Sequence, residues 1–344
     1  MRQRFLRACA RQPVDRPPVW FMRQAGRYMA EYRALRRSHS ILEICKTPRL
    51  AAEVTQQPVE ALDVDAAIVF ADLLLPLEVM GLGLEFVKGE GPRIDPPVRS
   101  AAAVRRLQTD RSAELGYVGE SIALARGHLG GRLPVIGFVG APFTLASYMI
   151  EGGGSRHYAA AKSLMWGEPE VWRELMERIV DVLAPFAALQ VAGGAAAIQV
   201  FDSWVGALSP LDYERFALPY SRDLIARIRA QSVPVIHFGT GNGAYLELFR
   251  RAGGDVLGLD WRVELGSAWD RVGHGVAVQG NLDPIALLAP LPELRARVHA
   301  VLDGAAGHPG HIFNLGHGII PQTPVEHVRA AVQMVRDYRA VPVR

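Results

Sequence analysis

The stretch Val182–Ile198, VLAPFAALQVAGGAAAI, decides between a membrane span and an α/β fold. It is apolar except for Gln190 and approaches the length of a membrane-spanning helix. Pro185 and the Gly193–Gly194 pair interrupt it, and both are typical of breaks in regular structure. The stretch therefore predicts the end of a helix, a turn and the start of a buried strand, and we expect no membrane segment.

Eight short apolar runs recur along the chain, and the strand after Gly194 is one of them. Each run is bounded by glycine, proline or a charged residue, and each is continuously apolar rather than alternating. Continuous runs are typical of parallel strands that are covered on both faces. The predicted strands are Pro18–Met22, Ala66–Phe70, Pro134–Val139, Ala196–Phe201, Pro234–Phe238, Asp255–Leu259, Gly275–Gln279 and His311–Leu315.

Segments with helical spacing separate these runs. The clearest start signal is Thr323-Pro324-Val325-Glu326, which predicts a capping threonine, proline at the first helical position and glutamate at the third. The predicted helices include Glu170–Ala188, Leu211–Ala230, Ala286–Leu302 and Pro324–Arg339.

The alternation of strands and helices, with no break in composition, predicts a single (β/α)8 TIM barrel over residues 1–344. The residues before the first strand form an N-terminal extension. The long segment Ala71–Leu133, with its Pro/Gly-rich part Lys88–Pro97, is predicted to be an insertion after strand 2 that carries extra helices. A doubly wound α/β sheet is the alternative fold.

The composition is that of a globular enzyme. The chain has 344 residues, 49% hydrophobic and 21% charged, and its net charge of +3 is too small to predict nucleic-acid binding. Cys9 and Cys45 predict neither a disulfide framework nor a metal cluster and fit a reducing compartment. The N-terminus lacks the apolar core of a signal peptide. Because there are 35 arginines and three lysines, an arginine is informative only through its position.

Polar side chains follow the predicted strands, where barrel enzymes place their catalytic groups. Glycines on both sides of His317 permit close approach of a ligand, although a hydrogen bond within its loop explains the residue equally well. His237 precedes the last core position of its strand and is better explained as a structural residue. In chain order the candidates are Arg23, Arg27, Asp72, Tyr148, Asp202, Ser203, His237, Asp260, Asn281 and His317.

Arg23 and Arg27 are candidates for binding an anion. They directly follow the buried run that contains Trp20, and guanidinium forks suit carboxylate or phosphate. A surface ion pair with Glu31 is the alternative. Asp72 stands in apolar sequence, where an unpartnered carboxylate is costly. We favour a functional role for it, with a helix cap as the alternative.

Motifs of several common enzyme classes are absent from the sequence. Gly152-Gly153-Gly154 is not followed by the Lys-Ser/Thr of a P-loop, and Gly239–Gly243 lacks the dinucleotide spacing. Ser203 has no Gly-x-Ser-x-Gly context, and no His-Glu-x-x-His metal motif occurs. The candidate residues suit an anionic small molecule with an embedded polar or cationic centre. They combine paired cations, a buried carboxylate, Tyr148 and His317.

Five segments of the sequence form recognisable motifs, and they span essentially the whole chain in order. They are Pro18–Met29 (PVWFMRQAGRYM), Gly137–Ser155, Phe201–Trp204 (FDSW), Gln279–Pro284 (QGNLDP) and Asn314–Gly318 (NLGHG). Together they resemble the uroporphyrinogen decarboxylase family in its bacterial form, and the first segment is long and specific. Two departures from the family pattern, Ala30 where proline is usual and Ala71 where serine is common, lie at positions that carry no chemistry.

The resemblance implies a cytoplasmic, homodimeric (β/α)8 barrel that needs no cofactor and no metal. Its implied activity is that of a lyase of haem and porphyrin biosynthesis, which decarboxylates the four acetate side chains of uroporphyrinogen III to methyl groups and yields coproporphyrinogen III and CO2.

The resemblance also implies roles for the candidate residues. Arg23 and Arg27 would bind carboxylates of the substrate, and Asp72 would face the pyrrole N–H groups at the centre of the macrocycle. Asp72 and Arg23 are the implied catalytic residues. The remaining implied substrate contacts are Tyr148, Ser203 and His317.

Two other functions are weighed against this one. A zinc-dependent methyltransferase of related fold would have a cysteine two residues after a histidine at a strand end, but Gly239 stands two residues after His237. The second alternative is an inactive barrel that only binds an anion or a tetrapyrrole. A buried carboxylate at position 72 would not help such a protein to bind an anion.

Overall fold

The computed structural model describes residues 2–87 and 89–339, and its centre is a curled sheet of seven parallel strands. The strand order in this sheet is β1-β4-β5-β6-β7-β8-β9, and a separate antiparallel hairpin consists of β2 and β3. Numbered along the chain, the strands are Ala67–Ile68 (β1), Gly83–Val87 (β2), Gly91–Asp95 (β3), Val135–Gly140 (β4), Ala197–Asp202 (β5), Val235–Gly239 (β6), Val256–Gly258 (β7), Ala277–Leu282 (β8) and His311–Leu315 (β9).

Helices connect the parallel strands and cover the outer face of the sheet. The α-helices are Arg2–Cys9 (α1), Ala30–Ser38 (α2), Ile41–Lys46 (α3), Pro48–Leu62 (α4), Leu75–Val79 (α5), Ala101–Arg105 (α6), Gly116–His128 (α7), Pro142–Glu151 (α8), Ala159–Gly167 (α9), Pro169–Ala192 (α10), Pro210–Phe216 (α11), Leu218–Arg229 (α12), Leu246–Arg251 (α13), Leu265–Val272 (α14), Leu291–Gly304 (α15) and Val325–Asp337 (α16). Short 3-10 helices occur at Ser112–Leu115, Val205–Ala207, Gly243–Tyr245 and Pro284–Leu288.

A short N-terminal segment joins the two edge strands of the sheet. On the β9 side, Trp20 N donates to Phe313 O (3.3 Å) and Phe313 N donates to Pro18 O (2.9 Å). On the β1 side, Asp65 N donates to Val19 O (2.7 Å), and Val19 N donates to Asp65 Oδ2 (2.9 Å). One segment therefore satisfies backbone groups at both edges, which would otherwise be exposed.

Seven of the eight predicted strands are confirmed, with ends that shift by up to three residues. The predicted strand Pro18–Met22 is wrong, because only a single bridge forms there, between Val19 and Phe313. The chain turns after Trp20: Gln24 N donates to Phe21 O (3.0 Å). Phe21 N in turn donates to the side chain of Gln24 (3.2 Å) instead of to a neighbouring strand.

Two helix predictions need correction. Leu211–Ala230 is two helices, α11 and α12, that meet at Ala217, because Pro219 at the second position of α12 has no N–H to continue the first helix. Thr323 does not cap the last helix: α16 begins at Val325 with Pro324 at its N-cap, and the Thr323 hydroxyl has no hydrogen-bond partner among the described residues.

Of the remaining helix predictions, one is confirmed with changed bounds and one is split in two. Glu170–Ala188 lies within α10, which runs from Pro169 to Ala192. Ala286–Leu302 begins as the 3-10 helix Pro284–Leu288 and continues as α15 after Pro290, which stands at the N-cap of that helix.

The stretch Val182–Ile198 has the predicted structure. Helix α10 ends at Ala192, the chain turns at Gly194 with φ +102°, and β5 follows. Its lone polar side chain, Gln190, is buried and hydrogen-bonds the backbone of β4. Phe138 N donates to Gln190 Oε1, and Gln190 Nε2 donates to Phe138 O, both at 2.8 Å. In the described part of the chain, no helix combines the length and apolar character that crossing a bilayer requires.

The insertion between β1 and β4 carries extra helices, as predicted, and also the hairpin of β2 and β3, which was not predicted. The hairpin lies against the loop after α8, where Arg93 forms an antiparallel bridge with Gly153. Its Phe86 and Pro92 line the pocket described below. The insertion therefore contributes to one wall of the candidate site.

Candidate active site

A cavity of about 270 Å³ lies at the carboxyl ends of the parallel strands, just below the range of about 300–1000 Å³ that is typical of small-molecule sites. Five of the six predicted site residues line the pocket, and Arg27 does not. The five are Arg23, Asp72, Tyr148, Ser203 and His317.

Apolar side chains form the inner wall of the pocket, and sequence reasoning did not include them among the site residues. Phe201 meets Phe138 edge-on, with ring centroids 5.6 Å apart, and meets Phe238 edge-on at 5.8 Å. Met22 and Ile68 also line the cavity. The three phenylalanines come from adjacent strands, so the pairing of parallel strands would have indicated that they lie side by side.

Asp72 combines partial burial with one local hydrogen bond. Leu74 N donates to its Oδ1 (2.9 Å), the contact of an Asx turn from an aspartate to the residue two positions on. Burial raises the pKa of its carboxyl group, while the Leu74 N–H and the positive charge of Arg23 act in the opposite direction. Asp72 does not cap a helix, because α5 begins at Leu75 with Leu74 at its N-cap and no side-chain cap, and the Asp72 carboxylate faces the pocket.

Arg23 reaches the pocket from a strained turn. Its backbone has φ +56°, a left-handed conformation that is uncommon for residues other than glycine and clusters at functional sites. Gly318 makes room for it, since a Cβ at that position would collide with Arg23 Cδ. Among the described residues, Arg23 forms no ion pair with a carboxylate, and the proposed alternative pair with Glu31 is not present.

Arg27 is exposed and lies outside the pocket lining. Its backbone carbonyl accepts a hydrogen bond from Arg33 Nη1 (2.9 Å). Burial raises the pKa of Tyr32, and the charges of Arg27 and Asp72 both act on that hydroxyl with opposite signs. Arg27 is thus an exposed side chain outside the pocket lining, and its charge acts on the same hydroxyl as that of Asp72.

Tyr148 lies on α8 and Ser203 directly follows β5, and both line the pocket. The Tyr148 ring packs edge-on against Trp204 with centroids 5.7 Å apart. Burial raises the pKa of Tyr148 to about 12, and the charge of Asp72 adds to this effect, so its hydroxyl keeps its proton at neutral pH. The backbone carbonyl of Ser203 accepts a hydrogen bond from Thr240 Oγ1 (2.6 Å), which fixes the loop after β5.

His317 is a neutral hydrogen-bond donor. Gly318 N donates to its Nδ1 (2.7 Å), so the ring proton resides on Nε2. Burial lowers its pKa to about 4, and the charges of Arg23 and Arg262 lower it further. The loop hydrogen bond that the sequence offered as an alternative is therefore present, and it orients the ring whose other nitrogen is available to a ligand.

Four other strand-end residues do not line the pocket. His237 faces the helices, where its ring stacks on Phe249 with centroids 3.8 Å apart. Asp260 is buried against Arg262 (Nη1 to Oδ2, 2.7 Å), and Asn281 donates to the Asp260 carbonyl (2.8 Å). Asp202 is buried and accepts a hydrogen bond from Thr144. These residues stabilise the framework around the site.

The arrangement can bind an anion and stabilise a cation at the same time. One unpaired guanidinium, a carboxylate, a protonated tyrosine and a neutral imidazole surround an apolar cavity. In the described part of the chain, no cluster of three or more histidine, cysteine, aspartate or glutamate side chains is arranged to hold a metal ion.

Comparison with known proteins gives the family. The sequence matches the family described as "Uroporphyrinogen decarboxylase (URO-D)" over residues 1–338. The chain belongs to this family. Uroporphyrinogen decarboxylase from Solibacter usitatus (strain Ellin6076) is 61% identical over 339 residues, which cover 98% of each chain. The family member from Koribacter versatilis (strain Ellin345) is 56% identical over 335 residues, which cover 97% of this chain and 95% of that one.

Solved structures of other proteins share the fold. A methyltransferase from Methanosarcina mazei superposes with a TM-score of 0.79 at 19% identity, over 98% of both chains. A B12-independent methionine synthase from Shewanella sp. W3-18-1 gives a TM-score of 0.53 at 11% identity, over 86% of this chain and 88% of that one. At these identities the likeness concerns the fold alone, and a fold supports many chemistries.

Proposed function

We propose that this protein decarboxylates the four acetate side chains of uroporphyrinogen III, which gives coproporphyrinogen III and four molecules of CO2. The observation that supports it is Asp72 beside Arg23 in one apolar pocket, in a chain of the uroporphyrinogen decarboxylase family. A carboxylate at the pocket suits the N–H groups of a tetrapyrrole, and the arginine suits its carboxylates.

The fold that positions this site is a (β/α)8 barrel over one domain. Eight segments form the ring: the seven parallel strands, and the segment around Val19 that bridges β1 and β9. The N-terminal helix α1 is the extension, and residues 71–133 are the insertion after β1, the second of these segments in the chain.

The reaction needs an electron sink, and the substrate supplies it. Protonation of a pyrrole ring carbon gives an iminium-like cation. The bond between the acetate CH2 and its carboxylate then breaks, CO2 leaves, and the electron pair neutralises the ring. A second proton on the exocyclic carbon completes the methyl group and restores the cation, and loss of the first proton from the ring carbon then gives the neutral, aromatic pyrrole. Ionised Asp72 stabilises the cation, an electrostatic effect typically worth about 3–4 kcal/mol for one well-placed group.

The other pocket residues hold the substrate. Arg23 binds a carboxylate and is the candidate to deliver the ring proton, and Arg27 binds a carboxylate at the rim. Tyr148 donates its retained proton, His317 donates through Nε2, and Ser203 completes the contacts. Each of these side chains carries a hydrogen-bond donor, as an octacarboxylate requires, and the pKa directions of Tyr148 and His317 keep those two groups as neutral donors.

The two alternative functions have less support. For a zinc-dependent methyltransferase, the only histidine at the end of β6 faces the helices rather than the pocket, and a Cβ on Gly239 would lie 2.7 Å from Phe249 Cζ. For a protein that only binds anions, Asp72 in the pocket would weaken binding. The homodimer, the cytoplasmic location and the independence of cofactors and metals remain predictions.

The test is turnover of uroporphyrinogen III under anaerobic conditions, with a metal chelator present and no cofactor added. Products are separated by their number of carboxylates. Porphyrinogens with seven down to four carboxylates would support the proposal and its independence of metals. Intact substrate with folded protein would contradict it, and binding of uroporphyrinogen with methyl transfer after zinc addition would then be measured.

A further inference from the structure

A buried polar contact lies directly behind the pocket. Asp202, the last residue of β5, and Thr144, on α8, are both 0% exposed. Thr144 Oγ1 donates to Asp202 Oδ1 (3.0 Å) and accepts a hydrogen bond from Trp204 N (3.3 Å). Among the described residues, the second carboxylate oxygen of Asp202 has no hydrogen-bond partner.

This contact connects the two elements that carry substrate-facing side chains. Thr144 lies one helical turn before Tyr148 on α8, and Asp202 directly precedes Ser203. Both Tyr148 and Ser203 line the pocket. Because Trp204 also packs edge-on against the Tyr148 ring, the position of α8 and the path of the loop after β5 are fixed together.

The loop after β5 is held independently on its other side. Thr240 Oγ1 donates to Ser203 O, and Tyr245 OH donates to Val205 O, both at 2.6 Å. These bonds tie the loop to the segment after β6. On the other side, the hydrogen bonds of Thr144 join the loop to α8, beside the contact of Trp204 with Tyr148.

Stability alone does not explain a carboxylate at position 202. A fully buried carboxylate with one hydrogen bond is costly, and apolar side chains of similar size fill such sites at lower cost. Burial accordingly raises the pKa of Asp202 to about 7, against the opposing effect of the Thr144 hydroxyl. What the carboxylate supplies is a directional contact, which an apolar side chain cannot make.

We propose that Asp202 and Thr144 are positioning residues for decarboxylation, which act by fixing Tyr148 relative to Ser203 across the pocket. The inference rests on the proposed decarboxylase function. Neither side chain touches the pocket, so neither is a catalytic residue. A displacement of about 1 Å in a reacting geometry costs up to about 100-fold in rate, which is the size of effect that such a contact controls.

The test compares Thr144→Val with Thr144→Ser and a matched control, Ser147→Ala. Ser147 is also buried on α8, but its hydroxyl donates to Phe143 O within the helix. We expect Thr144→Val to lower kcat about 10- to 100-fold with a smaller change in KM. Thr144→Ser and Ser147→Ala should retain wild-type kcat. Asp202→Asn, whose amide oxygen still accepts from Thr144, should retain activity, whereas Asp202→Ala should resemble Thr144→Val.

A double-mutant cycle separates positioning from simple destabilisation. If Thr144 acts through Tyr148, the loss in kcat from Thr144→Val should shrink in a Tyr148→Phe background. Equal losses in both backgrounds would overturn the proposal, because a merely structural role does not depend on the Tyr148 hydroxyl.

A readout without turnover keeps this inference distinct from the proposed function. Hydrogen exchange of residues 142–151 and 201–205 should accelerate in Thr144→Val and stay unchanged in Ser147→Ala. Unchanged exchange in both segments would overturn the inference even if wild-type protein turned over uroporphyrinogen. Accelerated exchange in Thr144→Val, together with a wild-type protein that does not turn over uroporphyrinogen, would support the contact while contradicting the decarboxylase function.

Discussion

At the scale of single residues, Asp72 carries opposing influences: burial raises the pKa of its carboxyl group, and the Leu74 N–H and Arg23 lower it. We predict that Asp72→Asn, which keeps the shape and loses the charge, lowers kcat about 100- to 1000-fold through loss of transition-state stabilisation. KM for uroporphyrinogen III should change little, since the ground-state substrate has no ring cation. Steady-state kinetics measure both, with the exposed Asp110→Asn as control. Unchanged turnover would remove Asp72 from the mechanism.

A second prediction concerns Arg23, where one substitution can keep the positive charge and remove the planar geometry of the guanidinium group. Arg23→Lys keeps the positive charge but loses the planar fork that binds a carboxylate through two hydrogen bonds. We expect kcat/KM to fall about 10-fold, the equivalent of about one charge-assisted hydrogen bond. The same change at Arg27, which is exposed at the rim, should raise KM with less effect on kcat. Wild-type kinetics in Arg23→Lys would show that binding at this position is not bidentate.

At the scale of elements, the buried parallel strands could be predicted from sequence because burial on both faces leaves a continuous apolar run. The run Pro18–Met22 has the same composition, but the side chain of Gln24 hydrogen-bonds Phe21 N and turns the chain. That contact spans only three residues, but the apolar composition of the run does not indicate it. The hairpin did have a local signal: Leu84, Glu85 and Phe86 alternate between apolar and charged side chains, which is typical of a half-buried strand.

The candidate site was predictable to the extent that polar residues at strand ends meet in space. Asp72, Tyr148 and His317 were found in this way, and the family resemblance supported them. The phenylalanine wall was missed because its members look like ordinary core residues until adjacent strands are paired. Sequence spacing also could not tell that Arg27, four residues after Arg23, lies outside the pocket lining.

Substitution of Gln190 tests how much the hydrogen bonds from α10 stabilise β4. Its amide bonds both backbone groups of Phe138, and Gly137 permits this approach, because a Cβ there would lie 2.6 Å from Gln190 Oε1. We predict that Gln190→Leu lowers the free energy of unfolding by about 2–4 kcal/mol, since it leaves two buried backbone groups unsatisfied. Urea unfolding measures the loss, and Gln231→Leu, at an exposed position, is the control. A loss no larger than that of the control would mean that β4 finds other partners.

At the scale of the whole molecule, three buried histidines dominate the response to mild acid. Burial lowers the pKa of His237 to about 3 and those of His311 and His317 to about 4. Between these values and about 6.5, the unfolded chain binds three protons that the folded chain does not, so stability falls as the pH falls. Asp202 and Asp72 act in the opposite direction, because burial raises the pKa of both. Three groups against two leave a net loss of stability in acid.

His237 allows this balance to be tested away from the pocket. It stacks on Phe249 and, within the described residues, its ring nitrogens have no hydrogen-bond partner, so His237→Phe keeps the stacked ring and removes the titrating group. Between about pH 4.5 and 6, we predict that the pH dependence of the unfolding free energy weakens by about 1.4 kcal/mol per pH unit, the value for one proton. Urea unfolding at a series of pH values measures it. The exposed His128→Phe should leave the slope unchanged. An unchanged slope in His237→Phe would mean that His237 binds its proton equally in the folded and unfolded chains, and acid sensitivity would then have to come from His311 and His317 alone.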